Sequence, residues 1–250
     1  MLTTLFCYKG DFELAKIKLL IFDMDGLMFE TGRLAYRAYY QSAIKYDYEM
    51  NHNVYYDLTG RTEKAILQEM ARLYGNNVPY QEWRNEMNQN KISIFENEKR
   101  VYKKKGLVNL LKFAKKNQLT VAVASSNHLN NIEKYLKVEG VSDYIDIIVS
   151  GDEVQNGKPN PEIFIRASLK AGVSTQNAFV LEDSLVGIEA AKRAKIQSIL
   201  VRDDITDLPI KKGKFELLVE LSNEFKPTIR PDFVFKDLDE ARTFLENIEQ

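Results

Sequence analysis

Five short β-branched or aromatic runs constrain this chain more than any other feature: Lys18 to Asp23, Leu119 to Ser125, Ile145 to Ser150, Ala178 to Glu182 and Gln197 to Val201. Their length and continuous apolar character read as buried strands. Between them lie helical patterns. Leu107, Leu110, Leu111 and Ala114 follow the i, i+3, i+4, i+7 spacing of an amphipathic helix. Asn160 followed by Pro161 reads as an N-cap with proline in the first helical position. Ile188, Ala191 and Ala194 mark a further apolar stripe. Strands alternating with helices in this way imply βαβ units wound around a parallel sheet. Residues 203–231 are less regular, and Phe233 to Phe235 and Asp237 to Ile248 read as a last strand and helix.

The stretch from Thr31 to Lys105 breaks that rhythm. It is rich in Tyr, Asn and charge and lacks a strand-like run, while Leu34 to Tyr46, Glu63 to Tyr74 and Tyr80 to Glu98 look helical. Directly after a first strand, such a stretch is far too long for a simple loop. The expected architecture is therefore an α/β, Rossmann-like parallel-sheet core, residues 1–30 and 106–250, with an inserted all-α helical domain over residues 31–105.

Composition bounds the function classes. The chain has 250 residues, 44% hydrophobic and 28% charged, which is ordinary for a globular protein with a large core. Lys plus Arg number 35 against 36 Asp plus Glu, a formal net charge of -1, so no global field draws polyanions and nucleic acid is not an expected partner. The basic stretch Lys99 to Lys105 reads as a solvated lead into a helix. Cys7 is the sole cysteine, which excludes an intrachain disulfide and suits a reducing compartment. No apolar run approaches the roughly 18 residues of a membrane span, and the N-terminus lacks a signal peptide's basic start and long apolar centre. A soluble, cytoplasmic, monomeric protein is the expectation.

Chemistry-bearing residues gather at the ends of the strand-like runs, where open parallel sheets bind ligands. The first run leads into Asp23, Asp25 and Gly26, the glycine permitting a sharp turn. Asp-x-Asp-Gly alone fits an acidic turn or a helix cap equally well. The second run ends in Ser125-Ser126-Asn127, hydroxyls and amides suited to an anion or to capping the next helix. Gly157-Lys158-Pro159-Asn160-Pro161 sets one lysine in a rigid turn before a helix. The fourth run ends in Glu182-Asp183-Ser184, two acids where a helix dipole also favours them. Together they supply carboxylates for a hard cation, with a hydroxyl and a lysine for a phosphoryl group. Magnesium favours such a set, completing its shell with water and substrate phosphate oxygens.

FDMDGLMFET, VAVASSN, GKPNPEIF and LEDSLVGIEAAKRA resemble, in order, the four motifs of haloacid dehalogenase-like hydrolases, and are most similar to the subgroup of β-phosphoglucomutase and small phosphatases. The likeness runs from Ile17 onward; within the insertion only Gly60-Arg61-Thr62 resembles a cap-domain motif, and Leu27 replaces a common threonine or valine. The resemblance implies a magnesium-dependent phosphatase of a small phosphorylated metabolite, acting through an aspartyl-phosphate. It implies Asp23 as nucleophile and Asp25 as acid and base. Magnesium would be held by Asp23, the Asp25 backbone carbonyl and Asp183, with Glu182 nearby. Ser125, Ser126 and Lys158 would bind the phosphoryl group, and Arg61 would contact substrate from the cap. His52, His128 and Trp83 belong to no motif and read as packing or surface residues.

Three alternatives stay open. A phosphomutase of the β-phosphoglucomutase type shares these motifs, but it carries a hinge histidine at the position that here is Ala35. Dehalogenase and phosphonatase relatives usually lack the second aspartate, which Asp25 supplies. A signalling module phosphorylated on Asp23 without turnover needs no large cap.

Overall fold

The protein is described by a computed structural model covering residues 16–59, 63–221 and 229–248. The N-terminal segment with Cys7, and the Gly60-Arg61-Thr62 segment with its expected substrate contact, lie outside the described residues. The strands are β1 (Leu19–Phe22), β2 (Thr120–Ala124), β3 (Ile147–Val149), β4 (Ala178–Glu182), β5 (Gln197–Val201) and β6 (Phe233–Phe235). They form one six-stranded sheet in the order β3-β2-β1-β4-β5-β6, with every neighbouring pair parallel. From β1 the chain winds first to one side of the sheet and then, at β4, to the other. The carboxyl end of β1 thus lies at the topological switch point, where such sheets open a crevice.

The helices of the core are α5 (Leu107–Lys116), α6 (Leu129–Val138), α7 (Glu162–Ala171), α8 (Leu185–Arg193) and α9 (Leu238–Ile248), counted after four in the insertion. Alternation along each strand decides which face meets which helices. Leu19, Ile21, Ala122, Ala124 and Val180 pack on one face with Ile163, Phe164 and Ala167 of α7 and Ala190 and Ala191 of α8. Leu20, Phe22, Val121, Val123, Phe179 and Leu181 point the other way, into a core shared with Leu107 and Leu111 of α5 and Leu245 of α9. Both faces are covered, which is why the strands read as continuous apolar runs.

Between β1 and α5 the chain forms α1 (Thr31–Tyr46), α2 (His52–Leu58), α3 (Glu63–Tyr74) and α4 (Tyr80–Glu98), the all-α cap expected from the sequence. Its centre is aromatic: Trp83 is fully buried and stacks on Tyr48 with ring centroids 4.1 Å apart. His52 tilts against the Tyr36 ring at 5.4 Å, and His128 is an exposed side chain paired with Asp152. These residues pack or sit at the surface.

The two linkers between cap and core pair with each other. Phe29 bridges Lys103 in antiparallel register, and the Lys104 N–H donates to the Met28 carbonyl at 2.9 Å. The basic stretch that looked like a solvated lead is this second linker, and its cations are paired. Arg100 and Lys103 donate to the buried carboxylate of Glu139, just after α6, and Lys104 donates to Asp203 at 2.8 Å. Burial of the acids turned a surface charge run into a set of anchors.

Residues 203–221 cross back onto the cap. Met50 and Tyr48 form isolated bridges with Lys211 and Phe215, Tyr36 donates to the Pro209 carbonyl at 2.7 Å, and the Leu218 N–H donates to Leu73 at 2.8 Å. The irregular segment is a strap. Smaller differences follow from local chemistry. The helix expected from Leu34 begins at Thr31. Pro161 is the N-cap of α7, and Asn160 supports it by accepting the Glu162 N–H at 3.0 Å. Neither Ser125 nor Ser126 caps α6, whose N-cap is His128.

Candidate active site

The Asp23 N–H donates to the Leu181 carbonyl at 2.9 Å, extending the β1–β4 ladder by one step and fixing Asp23 at the strand tip. The chain then turns through Gly26 at φ +81°, and a Cβ there would lie 2.1 Å from Asp183 Oδ2. Only glycine allows this approach, which presses the first motif's loop against the fourth motif. The Gly26 N–H is held by the Thr31 hydroxyl at 3.1 Å, so the last residue of FDMDGLMFET braces the turn from the first helical position of α1.

Lys158 reaches under the strand tips from the connection between β3 and α7. Its ammonium donates to Asp23 Oδ1, and to Glu182 Oε1 at 2.7 Å, and its side chain is 8% exposed. The other Glu182 oxygen accepts the backbone N–H of Ser184 at 2.9 Å and its hydroxyl at 2.8 Å. Ser184 also N-caps α8 by accepting the Gly187 N–H at 3.1 Å. Glu182 is therefore engaged on both oxygens, and what it does here is hold Lys158 against Asp23.

Asp23, Glu182 and Asp183 bring one carboxylate oxygen each to within 4.8 Å of one another. Burial pushes the Asp23 carboxyl up to about 7; Lys158 counters this, and Glu182 and Asp25 add to it. Burial, with the neighbouring charges of Glu182, Asp23 and Asp203, also raises Asp183 well above its ordinary range. One lysine does not balance this many acids. A set of buried oxygen ligands with surplus negative charge fits a hard divalent cation, which would favour the ionised forms.

Asp25 stands on the opposite side of the tip from Asp183. The side-chain amide of Asn127 donates to its Oδ2 at 2.8 Å, and the Ser125 hydroxyl approaches the same oxygen at 3.5 Å. Asp23, Asp25, Ser125, Lys158, Glu182 and Asp183 thus converge on one crevice. Ser126 does not join them: its side chain is exposed, and its backbone carbonyl packs against Gly151. Both serines lie beyond the end of β2, where the chain turns and buries Ser125 while leaving Ser126 exposed.

Two further residues belong to the site, Asn127 and Asp203. Asn127 lies in the Ser125-Ser126-Asn127 triplet after β2, and the sequence does not reveal which partner its amide finds. Asp203 is partly buried and sits close to the turn, its Cβ 3.3 Å from where a Cβ on Gly26 would be. Its carboxyl is raised by burial, partly offset by Lys104. The signal was available, because Asp203 follows β5 as Asp183 follows β4.

A family model described as haloacid dehalogenase-like hydrolase matches residues 20–201. The phosphorylated carbohydrates phosphatase of Thermotoga maritima is 30% identical over 187 residues, covering 72% of this chain and 82% of that protein. Hexitol phosphatase B of Escherichia coli is 28% identical over 183 residues, covering 72% of this chain and 82% of its own. The crystal structure of β-phosphoglucomutase from Clostridium difficile superposes with a TM-score of 0.63 at 21% identity, covering 93% of this chain and 96% of that one, a likeness of fold.

Proposed function

From the premise that this chain belongs to the haloacid dehalogenase-like hydrolase family and is a phosphoric monoester hydrolase, we propose that it cleaves a small sugar phosphate or similar metabolite through an aspartyl-phosphate on Asp23. The observation that carries the reading is the setting of Asp23: buried at a strand tip, hydrogen-bonded by Lys158, with Asp183 and Asp25 on either side.

In the first step an Asp23 carboxylate oxygen attacks phosphorus as the bond from phosphorus to the ester oxygen breaks. Asp25 gives its proton to that departing oxygen, releasing the alcohol. In the second step Asp25 takes a proton from water, whose oxygen attacks the phosphoryl group. The bond from phosphorus to the Asp23 oxygen breaks, freeing phosphate and restoring both acids. Splitting the displacement in two is the gain of covalent catalysis, and phosphoryl transfer otherwise depends on positioning and charge neutralisation. Lys158 and Ser125 bind phosphoryl oxygens, and Glu182 orients Lys158. Asp23, Asp183 and the Asp25 backbone carbonyl would hold magnesium, with Glu182 close by. Magnesium, when bound, supplies neutralising charge at the phosphoryl oxygens.

Hydrolysis is favoured over mutase chemistry by Ala35. It lies in α1, half-buried and packed against the hydrophobic core, and offers no proton-transfer group. The names of the two phosphatase relatives support a phosphorylated carbohydrate as substrate. The cap, residues 31–105, would close over that substrate and exclude water until it is bound, with Arg61 as its polar contact. Among the described residues no helix is long and apolar enough to cross a membrane, and we place the enzyme in the cytoplasm as a monomer.

The deciding experiment is phosphate release from a panel of phosphorylated sugars and an aryl phosphate, with and without magnesium, by wild type and Asp23→Asn. Wild type should turn over many times without accumulating a sugar-phosphate isomer, and Asp23→Asn should be inactive yet folded. Near wild-type turnover by Asp23→Asn would rule the assignment out.

A further inference from the structure

Asp25 needs more than presence to act as an acid. Its carboxyl must offer a chosen oxygen to the departing ester oxygen at the moment the bond breaks. The loop after β2 carries a device suited to that. The Asn127 side-chain amide donates to Asp25 Oδ2 at 2.8 Å, while the Asn127 backbone N–H donates to the Ser125 hydroxyl at 3.1 Å. That hydroxyl in turn approaches Asp25 Oδ2 at 3.5 Å, closing a ring of Asp25, Ser125 and Asn127. A second amide fixes the first. Asn131, in the first turn of α6, donates from Nδ2 to Asn127 Oδ1 at 3.3 Å. The Asn127 carboxamide therefore presents its donor and not its acceptor to Asp25. The Asn127 carbonyl is anchored as well, accepting the Gly151 N–H at 2.8 Å.

The geometry points to Asn127, oriented by Asn131, as the positioning residue for Asp25 in the acid step. The inference rests on the reading of Asp25 as proton donor to the leaving group. Among the described residues both donors fall on Oδ2, which assigns Oδ1 to the moving proton. That proton passes from Oδ1 to the ester oxygen as the bond from phosphorus to that oxygen breaks. Without the Asn127 amide, the Asp25 carboxyl rotates among orientations, and only some of them protonate the leaving group.

A leaving-group comparison separates this role from a structural one. A nitrophenolate departs as the anion, whereas a sugar alkoxide must be protonated. Asp25→Asn, Asn127→Ala and Asn131→Ala are assayed on 4-nitrophenyl phosphate and on the best sugar phosphate, with thermal melts as a check on folding. The rate compared is that of the first alcohol release in a single turnover, because hydrolysis of the phosphoenzyme is common to both esters and also uses Asp25. Positioned acid–base help is worth about 10²–10⁴-fold, so Asn127→Ala should slow that release about 10–100-fold with the sugar phosphate and less than about threefold with the aryl ester. KM should be little changed on either. Asn131→Ala, an exposed substitution, should show the same selectivity at smaller amplitude. Equal losses on both esters, or a rise confined to KM, would mean that Asn127 holds the loop or the phosphate and would overturn the inference. If Asp25→Asn is selective while Asn127→Ala and Asn131→Ala match wild type, the positioning role fails and the acid stands. If Asp25→Asn is itself unselective, the acid reading falls, and the inference with it.

Discussion

Glu139, at the end of α6, accepts the backbone N–H of Tyr102 at 2.8 Å, in the second linker between cap and core. The same oxygen accepts the Val101 N–H at 2.9 Å, and Arg100 and Lys103 complete the cage. Tyr102 sits at φ +55°, a conformation that non-glycine residues avoid. The buried carboxylate satisfies backbone donors that an irregular linker could not pair internally. It ties the cap's return path to the helix that follows Ser125 and Asn127.

Glu139→Gln should therefore destabilise the protein by roughly 2 kcal/mol at neutral pH, because Arg100 and Lys103 lose their anion. Burial alone would raise this carboxyl, but Arg100, the Val101 N–H, Lys103 and the Tyr102 N–H hold it down at about 2, against an ordinary 4.5. A carboxyl lowered on folding contributes its full stability above the unfolded value and loses it as pH falls towards the folded one. The gap between wild type and variant should be complete above about pH 4.5 and should close towards about pH 2. Urea unfolding across that range measures it; a gap that persists unchanged at the acid end would contradict the cage.

Gly26→Ala should be far more damaging to activity than to folding. Positive φ costs a non-glycine residue roughly 1 kcal/mol. The added methyl would also displace Asp183, whose Oδ2 lies 2.1 Å from its position. Gly140→Ala provides the control: its φ is +66°, and nothing lies within 4 Å of a Cβ there. Both variants should lose the backbone cost in stability, and Gly26→Ala somewhat more because its methyl displaces Asp183. Only Gly26→Ala should lose turnover, by about 10²-fold or more given how steeply catalysis depends on placement, with a higher magnesium requirement. Equal activities would show that the close approach has no role.

Much of the fold was legible because burial on both faces leaves an unbroken apolar run. β4, β5 and β6 have the expected ends, as do α3 and α4. α2 was missed: with seven residues it is too short to display a helical period, and its capping by Asn51 is a single local bond. The strap was illegible for a different reason. Its partners Tyr48 and Met50 are far away in sequence, and isolated bridges leave no repeating pattern. In the site, residues at strand ends could be read because the topology gathers them, whatever the loops do. Asn127 and Asp203 are equally well placed, beyond β2 and β5; position alone makes them candidates, and only their partners single them out.

Magnesium should stabilise the protein as well as activate it. Crowded, buried carboxylates oppose folding, and a ligand that binds only the folded state stabilises it in proportion to ln(1 + [L]/Kd). Melts in EDTA and in magnesium should differ for wild type. Asp183→Asn removes one of the repelling charges, which burial and its neighbours already disfavour. That variant should melt higher than wild type in EDTA, lose the magnesium-dependent shift, and be inactive. A wild-type shift retained in Asp183→Asn would place the cation elsewhere.

The strap offers a test in which two kinds of contact can be ranked. Arg33 forks onto Asp207 with bonds of 2.7 and 2.6 Å, yet Asp207 is 66% exposed. Exposed ion pairs are worth at most about 1 kcal/mol and weaken in salt. Phe215 packs its ring 5.4 Å from that of buried Trp83, and the residue bridges Tyr48 through its backbone. Losing a large, half-buried ring at such a contact costs about 2–3 kcal/mol. Phe215→Ala should therefore lower the unfolding free energy several times more than Arg33→Ala. It should also open residues 204–214 to limited proteolysis, while Arg33→Ala leaves them protected at moderate salt. The reverse ranking would mean that charge, and not aromatic burial, fastens the strap to the cap.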